Sequence, residues 1–82
     1  MINRDIEHDI KINQKYFEDV LKGNKTFEVR KNDRNFKVGD KLILKEWDGV
    51  KYTGRTIKKR ITYILEDDSG YVLQGHVIMS IR

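Results

Sequence analysis

After Gly23-Asn24 the apolar residues leave a helical spacing and adopt alternation, which recurs in segment after segment to the end of the chain. A period of two sends successive side chains to opposite faces of an extended backbone, so most of the molecule is committed to strands. Upstream of the switch, residues 14–22 carry the one helix. There Tyr16, Phe17, Val20 and Leu21 share a face, Asn13 suits the N-cap and Gly23 the position just past the C-terminus. Ahead of the helix, Ile10 and Ile12 alternate with Asp9, Lys11 and Asn13 as a short entering strand.

In residues 26–30, Phe27 and Val29 share one face while Thr26, Glu28 and Arg30 share the other, placing a hydroxyl, a carboxylate and a guanidinium in one row. A polar loop leads through Phe36, Val38 and a Gly39-Asp40 turn to Leu42-Ile43-Leu44, a strand ending at Trp47. Asp48-Gly49 is a hairpin signal, and the return strand starts near Val50 or Tyr52. Gly54 marks a bulge or turn before a strand over residues 56–65, with Ile57, Ile61, Tyr63 and Leu65 facing one way and Lys58, Arg60 and Thr62 the other. An acidic turn over residues 66–70 precedes a last strand from Gly75, in which Val77, Met79 and Ile81 alternate with His76, Ile78 and Ser80. One helix and about five short antiparallel strands predict a mainly β (α+β) fold, a small antiparallel barrel with the helix covering one opening. Closure would also remove exposed strand edges.

With 82 residues there is room for a single domain, residues 1–82, and any site must be small or surface-borne. The absence of cysteine excludes disulfides, thiolate metal sites and thiol catalysis, and His8 and His76 are isolated, so neither metal nor cofactor is expected. Each histidine reads as a hydrogen-bonded structural residue. No apolar run has the length of a membrane span, and residues 1–10 mix acids and bases without a signal-peptide core, which predicts a cytoplasmic protein. The net charge of +4 conceals an uneven distribution: residues 22–60 hold 13 basic and five acidic residues, or +8, and the remainder is acidic. Such a split suits a polyanionic partner.

Three segments carry a resemblance: residues 8–12 running into Tyr16-Phe17; residues 23–34, with Gly23, Lys25, Thr26, Glu28 and Arg30; and residues 36–40 with Leu42-Ile43-Leu44. In order and spacing they resemble small bacterial and phage proteins of the activating-signal-cointegrator homology (ASCH) group in the PUA-like superfamily, a likeness that runs through Tyr52-Thr53-Gly54-Arg55 to the closing strand. It implies a PUA-like pseudobarrel and an RNA or nucleotide ligand in a cleft between helix and barrel, lined by the Gly-x-Lys-Thr-x-Glu-x-Arg segment. The superfamily also contains tiny amidohydrolases acting on acylated cytidine, which are similar here but use a nucleophilic Thr where this chain has Glu28, and a Glu on an added helical segment. Residues 56–81 have room only for strands and a turn.

The candidate ligand- or RNA-binding residues are therefore Lys25, Thr26, Glu28, Arg30, Lys31, Arg34 and Arg55. Glu28 can accept from a base amine and Arg30 can hold a phosphate or stack. Read without the resemblance, the same two residues are an ion pair on a strand's solvent face, worth about 0–1 kcal/mol. Lys31, Asp33 and Arg34 form a charged loop beside the site; Arg55, Lys58, Lys59 and Arg60 are the densest basic cluster, divided between two strand faces. Trp47, Tyr52 and Tyr71 are candidate stacking platforms, though packing is an aromatic's first role in so small a core. The alternative to a binding module is a small hydrolase with Lys25 and Glu28 as its acid–base pair, and a third reading is a protein-interaction module. A monomer or weak dimer is expected.

Overall fold

The computed structural model describes residues 5–82, so the first four positions of the charged N-terminal stretch lie outside the described residues. Strand β1 (Glu7–Asn13) runs directly into helix α1 (Gln14–Leu21), followed by β2 (Phe27–Lys31), β3 (Lys41–Trp47), the long β4 (Tyr52–Glu66), a 3₁₀ turn (Asp67–Ser69) and β5 (His76–Ile81). Of the helix's apolar stripe only Phe17 and Val20 are buried; Tyr16 and Leu21 flank it, about half exposed. Asn13 stands at the N-cap but makes no side-chain capping bond. At the other end Gly23 takes a positive φ of 80°, and the reversed chain lets the Asn24 and Lys25 N–H groups donate to the Asp19 carbonyl at 2.9 and 3.0 Å.

All five strands form one sheet in the order β1-β3-β4-β5-β2. Two features depart from an antiparallel barrel. Strands β1 and β3 pair in parallel, with Ile10 opposite Leu44, because α1 and β2 lie between them as a crossover connection. Among the described residues no ladder joins β1 to β2, so the sheet is not closed and its two edges face each other across a seam.

Strand β4 bends the sheet. Its first half pairs with β3 and its second with β5, and each half contains a shift of register. The first shift, opposite Lys45 and Trp47, surrounds Gly54, whose φ of 94° fits the expected bulge. The second lies between Ile61 and Tyr63 and overturns the alternation expected there: the extra residue turns Tyr63 outward, 62% exposed, and brings Ile64 against the core. In β5 the alternation holds, with Val77, Met79 and Ile81 buried. They join Ile10, Ile12, Phe17, Val20, Phe36, Leu42, Leu44 and Ile61 in one core, each large apolar side chain contributing about 1.5–3 kcal/mol on burial.

Asp40 closes the turn before β3. Its N–H donates to the Lys37 carbonyl at 3.0 Å, while its Oδ2 accepts from the Lys37 N–H at 3.1 Å and from His8 Nε2 at 2.8 Å. His76 Nδ1 donates to the Gln74 carbonyl at 3.0 Å, so both histidines are hydrogen-bonded, at separate places. Among the described residues no helix is long and apolar enough to cross a membrane, and no cluster of three or more His, Cys, Asp or Glu is placed to hold a metal ion.

Candidate functional site

The register of β2 decides which of its faces turns inward. Glu28 pairs with Met79 and Arg30 with Val77, both core residues, so the polar row of β2 shares the core-facing side. Phe27 and Val29 are 46% and 49% exposed, whereas Glu28 is 4% exposed. The carboxylate and guanidinium therefore do not form an ion pair on the solvent face.

Glu28 is held from both sides. Its Oε1 accepts from Lys25 Nζ at 2.6 Å and its Oε2 from Arg30 Nε at 2.8 Å. Lys25 also donates to the Phe27 carbonyl at 2.7 Å. Arg30 continues across the seam, where Nη2 donates to the Lys11 carbonyl of β1 at 2.6 Å, and Arg34 donates to the Asp9 carbonyl of the same strand. Two guanidinium groups thus bond to backbone acceptors of the β1 edge that a closing ladder would otherwise satisfy.

Above the seam lies an open cleft of about 570 Å³, bounded by Lys11, Ile12 and Asn13 of β1, Tyr16 of α1, Lys25, Phe27 to Arg30 of β2, and Trp47 at the end of β3. Its walls combine aromatic rings and cations. Lys11 Nζ sits 4.5 Å from the Trp47 ring centroid, Trp47 packs edge-on to Tyr52 at 5.1 Å, and Lys25 Nζ is 4.9 Å from the Phe27 ring. On the other side of Arg30 is a smaller hollow of about 140 Å³ lined by Ile10, Arg30, Lys31, Asp33, Arg34 and Phe36.

Of the residues singled out in the sequence, Lys25, Glu28 and Arg30 come together in the cleft, and Lys31 and Arg34 border the adjoining hollow. Thr26 does not join them; it is exposed and lines a separate depression with Thr62, Tyr63 and Ser80. Arg55 is engaged elsewhere: it ion-pairs with Glu46 at 2.8 Å and with Glu18 of α1, and its guanidinium lies 4.8 Å over the Phe17 ring. This clasp fastens the helix to the β3–β4 hairpin. Hydrogen bonds from Arg55 and then Thr53 hold the Glu46 carboxyl at about 2, well below its ordinary value, and the hydrogen bonds that Arg55 makes to Glu46 and then Glu18 push its own value upward. Tyr71 is 90% exposed and away from the cleft lining, leaving Trp47 as the stacking candidate that borders it.

Lys11, Tyr16 and Phe27 belong to the cleft although the sequence did not mark them. Tyr16 carried the signature of a helix core residue, and Phe27 that of a strand's buried face. Only the register of β2 and the packing of α1 show that both open onto the cleft.

A small α+β protein with a curled mixed sheet and, at its seam, a cleft walled by aromatic and charged side chains is the class these observations define. Residues 7–81 match the family described as Domain of unknown function (DUF3850), and the chain belongs to that family. Over 59 residues it is 48% identical to an uncharacterised 12.9 kDa protein in the GpA 3′ region of Escherichia phage P2. The match covers 72% of this chain and 54% of the phage protein, so the chain spans about half the length of the curated relative it matches.

Proposed function

We propose that the protein is a PUA-like RNA- or nucleotide-binding module that acts in the cytoplasm and holds its ligand in the cleft between α1 and the sheet. One observation carries this reading: Glu28 is 4% exposed on the core-facing side of β2, yet it borders an open cleft. Burying a charge does little for stability, since a well-packed apolar residue serves a fold as well or better. A local departure of this kind is expected where a ligand is recognised. The cleft volume falls within the usual range for small-molecule sites, and its rings and cations suit a base and its phosphate. The curled five-stranded sheet with one helix supports the PUA-like assignment.

The test is fluorescence anisotropy of labelled single-stranded RNA, hairpin RNA and matching DNA, at two salt concentrations, with Glu28→Ala and Arg30→Ala alongside. Arg30→Ala weakens binding of every RNA, whereas Glu28→Ala alters base preference. Equal affinity of all three proteins for every RNA sinks the proposal.

A second reading, a hydrolase acting on a modified nucleoside or RNA, draws on the 2.6 Å contact between Lys25 Nζ and Glu28 Oε1, an acid–base pair within proton-transfer reach. Turnover of an acylated cytidine, lost in Lys25→Ala, would favour it. A protein partner retained after nuclease treatment would favour an interaction module instead.

A further inference from the structure

We propose that the cleft selects a guanine-type base edge, with two adjacent N–H donors on Glu28, and that the smaller hollow across Arg30 takes the phosphate of the same nucleotide. This rests on the nucleotide-binding reading above and gives it a ligand class.

The first part follows from counting acceptors. A carboxylate offers about four acceptor positions, two on each oxygen. Lys25 occupies one on Oε1 and Arg30 one on Oε2, which leaves one position on each oxygen unfilled by any donor among the described residues. Two open acceptors side by side match a ligand edge with two neighbouring donors. Among the common neutral bases guanine alone supplies this, through N1–H and N2–H. Adenine and cytosine set an acceptor beside their amine, and uracil sets one N–H between two carbonyls, so each would press a lone pair against the carboxylate. Hypoxanthine keeps N1–H and lacks the second donor.

A third group on the guanine edge fits as well. O6 lies next to N1 and needs a donor. The Lys25 ammonium has three N–H groups, of which two go to Glu28 and the Phe27 carbonyl, leaving one for an oxygen beside Glu28. Trp47, half-buried in the cleft wall, supplies a ring for stacking, with the flexible Lys11 ammonium that lies 4.5 Å over it giving way to the base.

The second part follows from the two hollows sharing a wall. The 140 Å³ hollow has a volume suited to a phosphate rather than a base, and Arg30, Lys31 and Arg34 outnumber Asp33 as its charged lining. Arg30 borders both spaces, so a nucleotide lying across it reaches Glu28 with its base and the cations with its phosphate. Lys31 is exposed, and Arg34 uses one N–H on Asp9 and keeps others for an anion.

The experiment is titration of the full chain with GMP, IMP, AMP and guanosine, followed by the fluorescence of Trp47, the single tryptophan, and by calorimetry. The variants are Glu28→Gln and Lys31→Ala, with thermal unfolding confirming that each folds. GMP is expected to bind about ten-fold or more tightly than IMP, and AMP more weakly still, since each lost hydrogen bond to a charged group carries about that factor. Guanosine binds more weakly than GMP, and Lys31→Ala narrows that gap without changing the preference for guanine. Glu28→Gln removes the preference. AMP binding as tightly as GMP, guanosine equalling GMP, or RNA binding without any GMP binding overturns this assignment while the nucleotide-binding reading stands. Failure of every nucleotide and every RNA to bind removes both.

Discussion

Arg30 ties Glu28 to the opposite edge of the sheet: its Nε donates to Glu28 Oε2 at 2.8 Å while its Nη2 donates to the Lys11 carbonyl at 2.6 Å. One planar fork therefore fixes the carboxylate of the cleft and satisfies a backbone acceptor of β1. Site geometry and the near-closure of the sheet depend on the same side chain.

Removing that fork should affect fold and ligand together. Arg30→Ala leaves Glu28 with Lys25 as its remaining ion-pair partner among the described residues and strips the Lys11 carbonyl of the Arg30 donor, an expected loss of about 1–3 kcal/mol. Arg30→Lys recovers only part of it, because an ammonium lacks the rigid fork that serves both acceptors. Urea denaturation of the three proteins checks the order, and a lysine variant as stable as wild type contradicts it.

Another buried carboxylate predicts an acid response. Glu46 is drawn from an ordinary 4.5 to about 2 by hydrogen bonds from Arg55 and Thr53. A depressed carboxyl contributes stability that is fully present above the unfolded value and is lost as pH falls through the folded one. The denaturation midpoint should therefore drop between about pH 4.5 and 2, and Glu46→Gln should flatten that drop. An unchanged slope in the variant would count against the Arg55 clasp.

The register shift in β4 yields a paired test. Tyr63 is 62% exposed while Ile64 packs on the core, the reverse of strict alternation from Ile61. Ile64→Ala should cost about 1–3 kcal/mol through lost packing, and Tyr63→Ala within about 1 kcal/mol. If Tyr63→Ala proves the costlier change, the bulge is misplaced.

Much of the fold was legible because local patterns fix local structure. The helix spacing of Phe17 and Val20, the Asp48-Gly49 hairpin, the Gly54 bulge and the inward Val77-Met79-Ile81 row all follow from neighbours in sequence. The parallel pairing of β1 with β3 was not legible, because nothing in Ile10 or Leu44 records the direction of a partner strand. Nor does the sequence of residues 61–65 signal an extra residue at the bulge, which carries no glycine. At the site, the row of Glu28 and Arg30 was readable as a row, and Lys25 as its neighbour. Its inward direction was set by pairing with Met79 and Val77, some fifty residues away. Arg55 was grouped with the site by charge alone, and only the folded chain shows it spent on Glu46 and Glu18.

The most direct test of the account is backbone and indole chemical-shift mapping of the isotope-labelled protein during titration with a short single-stranded RNA containing guanine. The account predicts that the largest changes fall on Lys11, Tyr16, Lys25, Phe27, Glu28 and the Trp47 indole, and that Glu28→Gln diminishes them. Changes confined to the Lys58–Lys59 surface, with the cleft residues unmoved, would contradict it.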